Sequence, residues 1–112
     1  METRAIQIRP GIVAIIQPVD LDIVTQHLDL APSQRFDLII ATNVFVYYDV
    51  FKQLLSLANT QSMLRPGGLL LTNNSLPLIS GSPMRSVDYL STAYSELPDD
   101  GDVIVWYQRL AD

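Results

Sequence analysis

The spacing of apolar positions changes several times along the chain, and each change predicts an element. Residues 12–16, Ile-Val-Ala-Ile-Ile, form an unbroken run rich in β-branched residues, entered by Pro10-Gly11 and left through Pro18. A run of that kind between turn residues predicts a strand. Residues 22–28 predict a second strand, with 18–21 as the turn, since Pro18 suits a turn and breaks a helix. Residues 31–35 read as loop. Residues 36–42 hold four consecutive apolar positions, 38–41, and predict a strand buried on both faces, as in parallel sheets covered by helices.

From residue 50 the period lengthens. Val50, Phe51, Leu54, Leu55 and Ala58 form an apolar stripe at helical spacing, predicting a helix over 50–64. Asp49 suits its N-cap, and Pro66-Gly67-Gly68 its end, because proline cannot continue the ladder and glycine tolerates positive φ. Both glycines are read as structural. Residues 69–72 predict another buried strand, so strand, helix and strand make a βαβ unit with parallel strands and a right-handed crossover. Residues 75–86, with two prolines, Gly81 and four serines, read as loop. Residues 89–95 and 103–108 predict an antiparallel hairpin closed by a turn at 98–102.

Composition narrows the class. With 112 residues the chain holds one small domain at most. Its net charge of −5 makes it a poor binder of nucleic-acid phosphates. Charged residues are 17%, against roughly 25% in ordinary soluble domains, and mean hydropathy is +0.21. A chain this small and this apolar is expected to lean on another half-domain or a second copy. There is no cysteine, so neither a disulfide nor a cysteine zinc site can form, and the lone His27 reads as a surface or paired imidazole. No metal site is expected. The apolar runs fall far short of the roughly 18 residues of a membrane span, and no secretory signal pattern is present; a cytoplasmic protein is the expectation.

Phe36-Asp37-Leu38-Ile39-Ile40-Ala41-Thr42-Asn43-Val44-Phe45, then a helix, then Met63-Leu64-Arg65-Pro66-Gly67-Gly68-Leu69-Leu70-Leu71, resembles the second half of the class I S-adenosylmethionine-dependent methyltransferases. That family combines an FDxI-type strand, a helix, an LxPGG turn, a further strand and a terminal antiparallel hairpin. The likeness spans residues 28–110. Residues 43–49 are most similar to the RNVxIYF segment of chemotaxis-receptor glutamate methyltransferases, a lead on substrate. The resemblance implies an α/β fold: a partial Rossmann-like methyltransferase sheet, with residues 31–112 as its C-terminal half and 1–30 as N-terminal strands of uncertain placement.

The family's glycine-rich GxGxG turn, which lets backbone amides approach the cofactor, has no counterpart before residue 81, nor has its ribose-binding acid. About two βαβ steps, roughly 60 residues, would supply them. The expectation is therefore a C-terminal piece that binds S-adenosylmethionine weakly or not at all by itself.

The resemblance assigns Asp29 to the adenine amino group and Leu30 to the adenine ring; the plain alternative for Asp29 is a solvated loop carboxylate. Thr42, Asn43 and Val44 leave the C-terminal end of a central strand, where open α/β sheets bind ligands. Asn43 there orients a substrate or the cofactor's methionine moiety, or else closes the strand with an Asx-turn. Tyr47 and Tyr48 are candidates for the wall of a methyl-acceptor pocket, but one packing on the sheet and one on the surface is the commoner arrangement. Asn73 and Asn74 end the other parallel strand and are equally candidates for a substrate cleft. No catalytic residue is assigned, since methyl transfer is an in-line displacement that needs positioning and water exclusion. Three functions stay open: a methyltransferase in its full-length context, a non-catalytic methyltransferase-derived module, or another nucleotide binder, which the lack of a phosphate loop disfavours. An edge of Leu38, Ile39 and Ile40 predicts a homo-oligomer.

Overall fold

The computed structural model describes residues 7–93 and 101–111. Four strands form one mixed sheet: β1 (Phe36–Ala41), β2 (Leu64–Thr72), β3 (Met84–Ala93) and β4 (Gly101–Arg109), in the order β1-β2-β4-β3. Two helices accompany them, α1 (Pro10–Val13) and α2 (Val50–Met63). β1 and β2 run parallel, while β4 is antiparallel to both β2 and β3. The parallel pair joined through a helix and the C-terminal hairpin both follow the sequence reading. The turn placed at 98–102 begins outside the described residues; Gly101 and Asp102 stand in β4, and β3 starts at Met84, inside the stretch read as loop.

The side chain of Asp49 caps α2 by accepting from the Lys52 N–H at 2.8 Å. Its buried face carries Ser56, Leu57, Thr60 and Met63, not the predicted stripe. Val50 and Phe51 are 62% and 70% exposed. Two apolar stripes compete on this helix, and the one continuous with Leu64 and β2 wins. The helix also stops earlier than Pro66. Leu64 is already extended, its N–H donates to the Gln61 carbonyl, and the buried Arg109 side chain donates to the carbonyls of Gln61 and Leu64.

The Pro66-Gly67-Gly68 turn lies within β2. Between the Phe36–Leu64 and Leu38–Leu69 pairs, the register advances two residues on β1 and five on β2. Gly67 takes φ +84° in that excursion, a conformation that costs most other residues about 1–2 kcal/mol. Gly68 is hemmed in by its own strand and by β1: a Cβ would sit 2.9 Å from the Arg65 carbonyl oxygen of β2 and 3.1 Å from that of Phe36 of β1.

The core is Phe45, Leu57, Leu64, Leu70, Leu76, Met84, Val105 and Tyr107, on the α2 side of the sheet. Ile39 and Ala41 of β1 pack against it. Leu38 and Ile40 alternate to the other face and are 48% and 63% exposed. The expectation that residues 36–42 are buried on both faces is therefore corrected. β1 is an edge strand, and among the described residues no helix covers the second face, where Ile40, Leu71 and Trp106 are neighbours across three strands.

The strands expected over 12–16 and 22–28 do not form. Pro10 occupies the first turn of α1, where its missing N–H is no loss. Ile12, Val13, Ile15 and Ile16 are each at least half exposed, with no strand beside them to pair. At 22–26 the Asp22 carboxylate accepts from the Val24 N–H, and its carbonyl from the Gln26 N–H, closing a turn. The Asn59 side chain donates to the carbonyls of Ile23 and Val24, tying this turn to α2. The Cα radius of gyration, 15.9 Å, exceeds the about 13 Å of a compact chain this long.

Candidate functional site

Ala41 and Thr72 are register partners at the C-terminal ends of the two parallel strands, so the residues after them emerge side by side. There Asn43 and Asn73 bond reciprocally. The Asn43 backbone N–H donates to Asn73 Oδ1 at 2.9 Å, and Asn73 Nδ2 donates to Asn43 Oδ1 at 2.8 Å. Asn43 has φ +57°, the only non-glycine residue in the left-handed region among those described; asparagine tolerates that region better than most residues. The chain then turns sharply through Val44 into a 3₁₀ turn, Phe45–Tyr47. Phe45 is fully buried as its anchor, and Gln53 donates to the Phe45 carbonyl at 3.0 Å. Thr42, Asn43 and Asn73, with Val103 and Ile104 of β4, line a cavity of about 230 Å³.

The other candidates divide. Val44 and Tyr48 are half-buried against the core, while Tyr47 is 78% exposed. One tyrosine thus packs and the other faces outward, and neither lines the Asn43–Asn73 cavity. The side chain of Asn74 is engaged with its own strand end, accepting from the buried Thr72 hydroxyl at 3.1 Å and donating to the Ser75 carbonyl. Asp29 and Leu30 lie at the opposite end of the sheet. They share a polar cavity of about 260 Å³ with His27, Arg35, Gln61 and Arg109, next to the start of β1. Six residues of strand, about 20 Å, separate them from Thr42, so the structure does not bring the two groups together. The His27 ring lies 3.1 Å from the Leu28 carbonyl through Nδ1 and is exposed.

A larger cavity, about 450 Å³, escaped the sequence reading. Ser75, Ser86, Val87, Asp88, Tyr89, Val103, Val105 and Tyr107 line it, and Val103 also lines the Asn43–Asn73 cavity. The Tyr107 hydroxyl, buried, accepts from the Leu76 N–H at 2.7 Å and so holds the segment after β2 over the hairpin. The β3–β4 register slips between Ser86 and Asp88, the mark of a bulge that re-aims side chains. No sequence signal singles this cavity out: Ser86 closes the stretch read as loop, and Asp88 falls between it and the strand predicted from residue 89. No group of three or more His, Asp or Glu among the described residues could hold a metal, and no described helix is long and apolar enough to cross a membrane.

No protein-family model matches the chain, and no curated protein sequence does. Solved structures do. The N-methyltransferase NodS from Bradyrhizobium japonicum WM9 is similar with a TM-score of 0.55 at 15% identity, over 81% of this chain and 58% of NodS. NodS in complex with S-adenosyl-L-homocysteine matches with a TM-score of 0.55 at 17% identity, over 80% of this chain and 52% of that one. The chain thus spans just over half the length of the structures it matches. At these identities the likeness is one of fold: a mixed α/β sheet of the methyltransferase type.

The described residues do not fit S-adenosylmethionine by themselves. The 230 Å³ cavity at the strand ends is below the roughly 300–1,000 Å³ of small-molecule sites. The residues assigned to adenine stand at the far end of the sheet, and the chain has no glycine turn before residue 81 to admit the cofactor's backbone contacts.

Proposed function

We propose that this chain is the C-terminal, acceptor-side part of an S-adenosylmethionine-dependent methyltransferase and is not competent alone. One observation carries the reading: within a methyltransferase-type sheet, the Asn43–Asn73 pair closes the C-terminal ends of the two parallel strands, where open α/β sheets take their ligands. Asn43, Asn73 and Thr42 offer neutral donors and acceptors there, suited to positioning an uncharged or zwitterionic group. Cofactor binding through a glycine turn comes from polypeptide outside these residues. Titration calorimetry of the 112-residue chain with S-adenosylmethionine is expected to give no affinity at or below the order of 10 μM. Joined to the coding sequence upstream of Met1, the protein is expected to bind the cofactor and transfer its methyl group. Micromolar binding by the chain alone, or neither binding nor transfer by the extended protein, overturns the reading.

A second reading, a non-catalytic interaction module, draws on the uncovered sheet face. Leu38 and Ile40 on the β1 edge are exposed beside Phe36, and an open apolar edge is a template for another chain. In this reading a second copy pairs with β1. Both readings require β1 to be covered, one by the rest of the enzyme and the other by self-association.

A further inference from the structure

Resting on the methyltransferase reading for its role, we infer that the 450 Å³ cavity on the hairpin is the acceptor subsite and that it takes an organic ammonium attached to an aromatic or apolar body. Three observations converge on it. The cavity shares the wall residue Val103 with the Asn43–Asn73 cavity, which sets it beside the termini of the parallel strands. Among the described residues its lining carries one formal charge, the Asp88 carboxylate, and no lysine or arginine; the neighbouring Arg85 is held by the Gln108 side chain at 2.7 Å. The remainder is apolar and aromatic, with Val87, Val103 and Val105, the exposed ring of Tyr89 and the buried Tyr107.

Asp88 is arranged to recognise rather than to support. One carboxylate oxygen accepts from the adjacent Tyr89 N–H at 2.8 Å, which fixes the side chain at the bulge. No hydrogen bond to a described residue engages the other oxygen. A carboxylate beside an aromatic face selects a cation, by charge and by the ring quadrupole together. The hydroxyls of Ser75 and Ser86 add acceptors for further ammonium protons. An anionic acceptor, such as the side-chain carboxylate suggested by the likeness of residues 43–49 to glutamate methyltransferases, would meet Asp88 with like charge.

The test uses the full 112-residue chain and amide chemical-shift mapping with three probes of one shape: benzylammonium, benzyl alcohol and benzoate. Benzylammonium is expected to shift the amides of Ser86, Asp88, Tyr89, Val103 and Val105, with about tenfold tighter binding than benzyl alcohol and no detectable benzoate binding. Asp88→Asn keeps the oxygen that accepts from Tyr89 and is expected to fold normally while losing the preference for the cation. Tyr89→Leu, at an exposed position, is expected to weaken benzylammonium several-fold and to leave benzyl alcohol nearly unchanged. Equal affinity for the three probes, no binding of benzylammonium, shifts elsewhere, or an undiminished cation preference in Asp88→Asn each overturns the inference. None of these readouts involves the cofactor. Cation binding without methyl transfer by the extended protein would therefore refute the enzymatic reading and leave the subsite standing.

Discussion

The Asn43–Asn73 clasp makes a stability prediction with an internal control. Asn73→Ala removes both bonds, the 2.9 Å one from the Asn43 N–H and the 2.8 Å one to Asn43 Oδ1. Each contributes about 0.5–1.5 kcal/mol, and solvent access at this exposed end favours the lower part of the range. A loss of about 1–2 kcal/mol is expected for the pair. Asn43→Gly removes only the side-chain bond and relaxes the φ of +57°, for about 0.5–1 kcal/mol. Asn43→Ala loses the same bond and also places an alanine in the left-handed region, adding about 1 kcal/mol. The order of damage is thus Asn43→Ala above Asn43→Gly, although glycine is ordinarily the more damaging of the two. Urea unfolding followed by circular dichroism gives all three, with the m value checked for constancy. The double variant Asn43→Gly/Asn73→Ala isolates the shared bond as non-additivity of about 0.5–1 kcal/mol. If glycine at position 43 proves worse than alanine, or the double variant is simply additive, the clasp as described is wrong.

In the extended, cofactor-binding protein, Asn43→Ala is expected to lower methyl-transfer turnover at least tenfold, beyond what its melting temperature accounts for; unchanged turnover would remove Asn43 from the site. Gly68→Ala is expected to destabilise by about 1–3 kcal/mol, because its Cβ meets two backbone carbonyls that cannot both yield; thermal denaturation measures it, and a neutral result would mean that the β1–β2 approach is looser than described. Sedimentation equilibrium of the 112-residue chain is expected to show a dimer or larger oligomer, and Ile40→Lys a shift to monomer with stability changed by no more than about 0.5 kcal/mol. A clean monomer at micromolar concentration refutes pairing through β1.

The elements that sequence read correctly are those whose local signals agree with their packing. Asp49 is both a favoured cap and an observed one, and the β1–α2–β2 unit follows from two apolar runs flanking a helical period. Where the sequence misled, tertiary context had decided. The run over 12–16 carries strand propensity but no strand partner among the described residues, and Pro10, suited to a first helical turn, favours a turn of helix. On α2 two apolar stripes overlap, and propensity does not rank Val50 and Phe51 against Leu57 and Met63; only the sheet does. Residues 38–41 look doubly buried because parallel strands usually are, yet β1 is an edge and half of them face outward.

The site was legible residue by residue but not as an arrangement. Asn43 and Asn73 were separately identifiable as strand-end polar residues, 30 positions apart, whereas their reciprocal bonding depends on the Ala41–Thr72 register. That register in turn depends on the excursion at Pro66-Gly67-Gly68. One position beyond Asn73, the Asn74 side chain bonds to Thr72 and Ser75. Asp88 could not be singled out at all, because a one-residue slip in the hairpin sets which face it serves. Asp29 shows the converse. Its assignment rested on a strand over 22–28 that does not form; the turn at 22–26 is instead tied to α2 through Asn59, and Asp29 lies toward the N-terminal end of β1. What holds position is the set fixed by β1, β2 and the hairpin themselves. The proposed chemistry of this chain rests on those residues, and so concerns the group that receives a methyl and not the one that gives it.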